Sequence, residues 1–169
     1  MEASKVLNSI QESFQQAFEM FGSDVTIPDD QQVDLEQGRH EFIASIGLAR
    51  SDVEVVVHLL FDRKAANYIV SLMLGEDEPD DEMAADGLGE CANMTAGGVK
   101  SRTEGEEMIL GLPSVITGDN VKVAACTRTT QQSFRFVVDD EFVVEGSFII
   151  RVPAASRAKS LQEKVGEAQ

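Results

Sequence analysis

Between Asp86 and Gly105 the chain reads DGLGECANMTAGGVKSRTEG, and within it Asp86, Glu90 and Asn93 are spaced four and three residues apart. On a helix each residue advances about 100°, so the three side chains share one arc of about 60°. A carboxylate and an amide one turn apart can act together: the acid can pair with a cation, and the amide can both accept from and donate to a water molecule without ionising. On the same wheel Ala84, Leu88, Cys91, Ala92, Thr95 and Val99 gather on the far side, the side able to bury. The acid and the amide are therefore expected in solvent. Asp86 and Glu90 could alternatively share a cation, as carboxylates four apart on a helix can.

Other chemistries find little support. Cys91 and Cys126 lack metal-ligand spacing and read as small buried thiols. His40 and His58 lie far apart and away from the polar arc, which leaves no zinc site, triad or cysteine nucleophile, and His58 reads as structural. The net charge of −16, from 30 acidic against 14 basic residues, argues against nucleic acid as a partner, because nothing displaces counterions along a duplex. No run approaches the length of a membrane span and the amino terminus lacks an export signal, so a cytoplasmic protein is expected.

The elements that must position the arc follow from periodicity. Leu7, Ile10, Phe14, Ala17, Phe18 and Phe21 mark an amphipathic helix ending near Gly22, and Asp24 to Ile27 a short strand. Phe42 to Leu48 alternates as a strand, and VEVVVHLLF, apolar on both faces, as a central one. Asp62 caps the next helix and Gly75 ends it. The acidic run EDEPDDE reads as a solvated connector and helix cap, since carboxylates favour the positive end of the helix dipole. A long helix then runs from Asp81 towards Glu104, stopped by Gly105. Strands are expected around Leu112 to Thr117 and Val121 to Thr127, followed by a hairpin turning at Asp139 to Glu141, with Phe134, Phe136 and Val138 on one face. A single domain of α+β class is expected over residues 1–153, an antiparallel sheet covered by helices, with 154–169 a polar tail or frayed helix.

Four glycines, at 87, 89, 97 and 98, sit inside the long helix, and each costs about 1 kcal/mol relative to alanine. Gly87 and Gly97 are expected to bare the ridge carrying Glu90 and Asn93 so that another backbone can approach; tight helix packing is the alternative. Met83 and Met94 lie beside the same arc, and adaptable thioethers suit a docking surface.

Together these residues resemble the CheC/CheX/FliY group of chemotaxis phosphatases, most closely its single-site CheX-like branch. The resemblance rests on Asp86, Glu90, Asn93 and Pro113 within DGLGECANMTAGGVK and GLPSVITGDN, on a preceding helix ending in LMLGE, and it spans Phe42 to Ile150. Nineteen residues separate Asn93 from Pro113, fewer than in the CheC and FliY patterns, and Pro113 reads as an ordinary strand-start proline. The resemblance implies a phosphatase that removes phosphoaspartate from a response regulator. Asn93 would orient the attacking water and Glu90 would pair with a regulator lysine. Asp86 is a supporting candidate, and Met83, Met94 and Gly97 would contact the partner. It also implies a homodimer, no cofactor of the chain's own, and Mg2+ held by the regulator. The alternative is a non-catalytic module of the same fold that binds a regulator or part of a flagellar switch.

Overall fold

The computed structural model describes residues 2–29, 33–35, 38–103, 108–124 and 129–151. The first helix, α1 (Ala3–Glu19), buries Val6, Ile10, Phe14, Ala17 and Phe18, the stripe its periodicity marks. Gly22 follows in the left-handed region at φ 77°, where a residue without Cβ is unstrained. After β1 (Val25–Thr26), β2 (Phe42–Arg50) and β3 (Val53–Phe61) pair residue for residue around a two-residue turn. The helix α2 (Arg63–Leu74) is capped by Asp62, which accepts from the Ala65 amide at 2.7 Å, and ends at Gly75 with φ 72°.

The third helix, α3 (Asp81–Arg102), takes the last two residues of the acidic run into its first turn, and the Asp80 carboxylate accepts from the amides of Glu82 and Met83 at 3.1 and 2.9 Å. It stops short of the expected Glu104. Thr103 leaves helical geometry at φ −89°, ψ 62°, and its hydroxyl donates to the carbonyls of Val99 and Lys100, satisfying acceptors that would otherwise be orphaned at the helix end. Gly105 lies outside the described residues.

The remaining strands are β4 (Ile109–Leu110), β5 (Ser114–Thr117), β6 (Thr130–Val138) and β7 (Phe142–Arg151). The sheet is antiparallel throughout, in the order β1-β6-β7-β3-β2-β4, with β5 also on β2. β3 is central, as its two-faced apolar sequence requires. Alternate residues of the long strands (Phe42, Ala44, Ile46, Val55, Val57, Leu59, Phe134, Phe136, Phe148) join all three helices in one core. The architecture is the α+β arrangement expected.

On the opposite face a smaller cluster forms, where Leu35, Ile43 and Leu60 are covered by Val33, Val121 and Val123. It explains a correction. No strand occupies residues 121–124; Val121 and Val123 alternate because they lie across this patch, and the Val121 amide donates to the His40 carbonyl at 2.8 Å rather than to a ladder. Residues 125–127, with Cys126, lie outside the described residues, as does 154–169.

Candidate functional site

α3 lies between α1 and α2 and runs over β2 and β5. Its buried side is the one the wheel selects: Ala84, Leu88, Cys91, Ala92, Thr95 and Val99 are all inaccessible, together with Ala96. The Thr95 hydroxyl is satisfied by the Cys91 carbonyl at 2.9 Å. This locked face sets the azimuth of the polar one. Asp86 and Glu90 are exposed as expected, but Asn93 is half-buried and so falls short of the solvent exposure the wheel predicts for it; its amide nitrogen lies 3.4 Å from Glu90 Oε2. At that length the contact is weak, so both groups keep capacity for an external partner. Directly behind them, burial and then the charge of Glu90 push the Cys91 thiol up to about 12, which keeps the nucleophilic thiolate form scarce.

The four glycines divide. At Gly87 a Cβ would sit 2.9 and 3.0 Å from the two methyls of Val70 on α2, and at Gly98 it would collide with Ser13 on α1. Both permit close helix packing. Gly87 is buried, so the expectation that it bares the Glu90 ridge is corrected: α2 covers it. At Gly89 a Cβ would meet Pro113 and Val115 at 3.7–3.9 Å. This brings the segment entering β5 against the helix one residue before Glu90, a contact signalled in the sequence only by the glycine itself. Gly97 alone of the four would place a Cβ in open space, with no atom within 4 Å. Met83 and Met94 are both half-buried beside the arc, and Met94 also leans on the main core.

The histidines stand apart. His40 Nε2 is 2.8 Å from the Glu145 carboxylate and His58 Nδ1 is 2.8 Å from the Ser45 hydroxyl; burial lowers the pKa of His58. Among the described residues no three His, Cys, Asp or Glu side chains converge as metal ligands would, so a cation shared by Asp86 and Glu90 would lack a third side-chain ligand of these types. Nor, among the described residues, is any helix long and apolar enough to cross a membrane.

The family model for the chemotaxis phosphatase CheX matches residues 42–137. Among solved structures, a CheC-like superfamily protein from Shewanella sp. PV-4 superimposes with a TM-score of 0.76 at 20% identity, covering 89% of this chain and 99% of that one. The CheX-CheY-BeF3-Mg2+ complex from Borrelia burgdorferi gives 0.67 at 22% identity over 88% and 96%. The FliM middle domain from H. pylori gives 0.56 at 12% identity over 96% and 99%. No curated protein matches in a sequence comparison.

Proposed function

The chain belongs to the CheX family of chemotaxis phosphatases, and from that premise we propose that it hydrolyses phosphoaspartate on a CheY-like response regulator, with Asn93 and Glu90 as the catalytic pair. The observation that carries the reading is the outward projection of Glu90 and Asn93 from one arc of a helix whose other side is fixed in the core. An amide partly exposed on a helix held in this way can reach a neighbour's phosphorylation site. There Asn93 holds a water in line with the phosphorus. The water oxygen bonds to phosphorus as the bond to the aspartyl oxygen breaks, releasing inorganic phosphate and a free carboxylate. Phosphoryl transfer runs through a loose in-line transition state, so positioning supplies much of the catalysis. Glu90 pairs with a regulator lysine and anchors the helix, Asp86 supports it, and Met83, Met94 and Gly97 line the contact.

The metal in this scheme is the regulator's. The Borrelia burgdorferi complex pairs CheX with CheY, BeF3 and Mg2+, which supports a regulator-borne Mg2+ neutralising charge on the phosphoryl group. The chain itself contributes no cofactor, and it works in the cytoplasm, where such regulators are expected. A homodimer accompanies the reading; the β4–β5 edge, with Ile109 and Ile116 exposed and no further strand beyond it among the described residues, supplies a surface of the kind sheets use for self-association, and sedimentation at micromolar concentration tests it.

Decay of a panel of phosphorylated regulators, with and without the protein, tests the activity. Asn93→Ala is expected to lose roughly 10²- to 10³-fold in rate, the cost of one transition-state contact, with regulator binding retained, whereas Glu90→Ala weakens binding as well. Acceleration by Asn93→Ala equal to wild type refutes the assignment. The likeness to the FliM middle domain favours one second reading, a flagellar-switch or regulator-binding module without hydrolysis; it predicts binding to regulators whose phosphate lifetime is unchanged.

A further inference from the structure

Seven residues make nearly two turns of a helix, so side chains seven apart lie almost on one line along the axis. Asp86, Asn93 and Lys100 occupy such a line on α3, with Glu90 and Gly97 on the line beside it. The row is acidic at its amino-terminal end and carries one cation at the other, about 10 Å along the axis from Asn93. Lys100 is exposed and makes no ion pair with a described residue.

Among the described residues Lys5 and Arg39 are also without an ion pair, so in a chain with 30 acidic and 14 basic residues Lys100 belongs to a minority of its cations. Arg50, Arg63, Lys64, Arg102, Arg135 and Arg151 each contact a carboxylate. A cation in the last turn of a helix complements its dipole, but Arg102 already stands in that turn, held to α1 through Glu12, Ser13 and Gln16. Lys100 has no such neighbour among the described residues. Its surroundings on the arc are the opened backbone at Gly97 and, beyond it, Asn93.

We propose that Lys100 is a positioning residue for docking: its ammonium pairs with a carboxylate of the phosphorylated regulator, about two helical turns from the reacting phosphoryl group. The inference rests on the functional reading above and deepens it. A partner that holds Mg2+ does so through carboxylates, and the net charge of −16 on this chain opposes its approach to such a surface. A cation on the contacting arc, unpaired among the described residues, relieves that repulsion locally. It also gives the helix a direction. With Glu90 requiring a cation and Lys100 an anion, only one orientation along the regulator satisfies both, and the reverse sets like charges together.

The test uses the full chain and the phosphorylated receiver, from a panel of purified ones, whose decay wild type accelerates most. Lys100→Gln is expected to raise KM about three-fold at low salt, the scale of one exposed ion pair, and Lys100→Glu roughly ten-fold. Both leave kcat within two-fold, and Lys100→Arg restores the wild-type KM. The ratio of variant to wild-type KM should shrink towards one as salt rises, because ions screen exposed pairs. A role confined to the helix dipole would instead lower Tm in the Gln and Glu variants and leave KM unmoved. If wild type is active and Lys100→Glu keeps its KM at low salt, or loses kcat alone, the inference is overturned while the phosphatase reading stands. If wild type accelerates decay of no receiver, the two fall together.

Discussion

Gly97→Ala is expected to make the protein more stable and less able to dock, two effects of opposite usefulness from one methyl group. In the interior of α3 alanine is favoured over glycine by about 1 kcal/mol, and here the added Cβ meets nothing within 4 Å, so no packing penalty subtracts from that gain. For a domain of this size, 1 kcal/mol corresponds to a rise of about 2–4 °C in Tm. In the proposed complex the same methyl would stand between Asn93 and Lys100, on the arc assigned above to the regulator's approach. Overpacking a close contact costs about 1–3 kcal/mol, which converts to a rise in KM of roughly five-fold or more. Thermal unfolding followed by circular dichroism reads the first effect, and phosphate decay over a range of regulator concentrations reads the second. A stabilised variant with wild-type KM would refute the close approach at Gly97. A destabilised one would refute the assignment of free space there.

Gly87→Ala should behave in the opposite way. Its Cβ would press on Val70 at 2.9 and 3.0 Å, so a loss of about 1–3 kcal/mol is expected, largely relieved in the double variant with Val70→Ala; urea unfolding of all three proteins checks it. A third prediction concerns acid. Hydrogen bonds from His40 and then Arg135, opposed by burial, hold the Glu145 carboxyl below its ordinary range. A carboxylate with a depressed folded pKa stabilises above its unfolded value, about 4.3, and that contribution fades as pH falls through the folded value. Glu145→Gln should therefore lower the urea midpoint at pH 7 and approach wild type as pH falls below about 4; an unchanging gap from pH 7 to pH 3 would refute the linkage.

Much of the site was legible in residue order. The azimuth of Glu90 and Asn93 relative to the buried side of α3 follows from a 3.6-residue period, and the structure buries every residue assigned to that side. Asp62, Gly75 and Asp80 act at the helix ends their types favour. The central place of β3 follows from its apolar character on both faces.

Tertiary contacts decided what periodicity leaves open. A helical wheel describes directions about one axis and contains nothing about which neighbour crosses that axis or how closely. Gly87 and Gly97 therefore looked equivalent beside Glu90 until α2 brought Val70 onto one and left the other bare. The same gap in information accounts for Val121 and Val123: alternation records one buried side, which a segment lying across a patch produces as readily as a strand. The approach of Pro113 to Gly89 arises because β5 pairs with β2 beneath α3. Local order thus determined which chemical groups α3 turns outward, and the packing of α2, α1 and β5 around it determined which of its glycines remain free to meet another molecule.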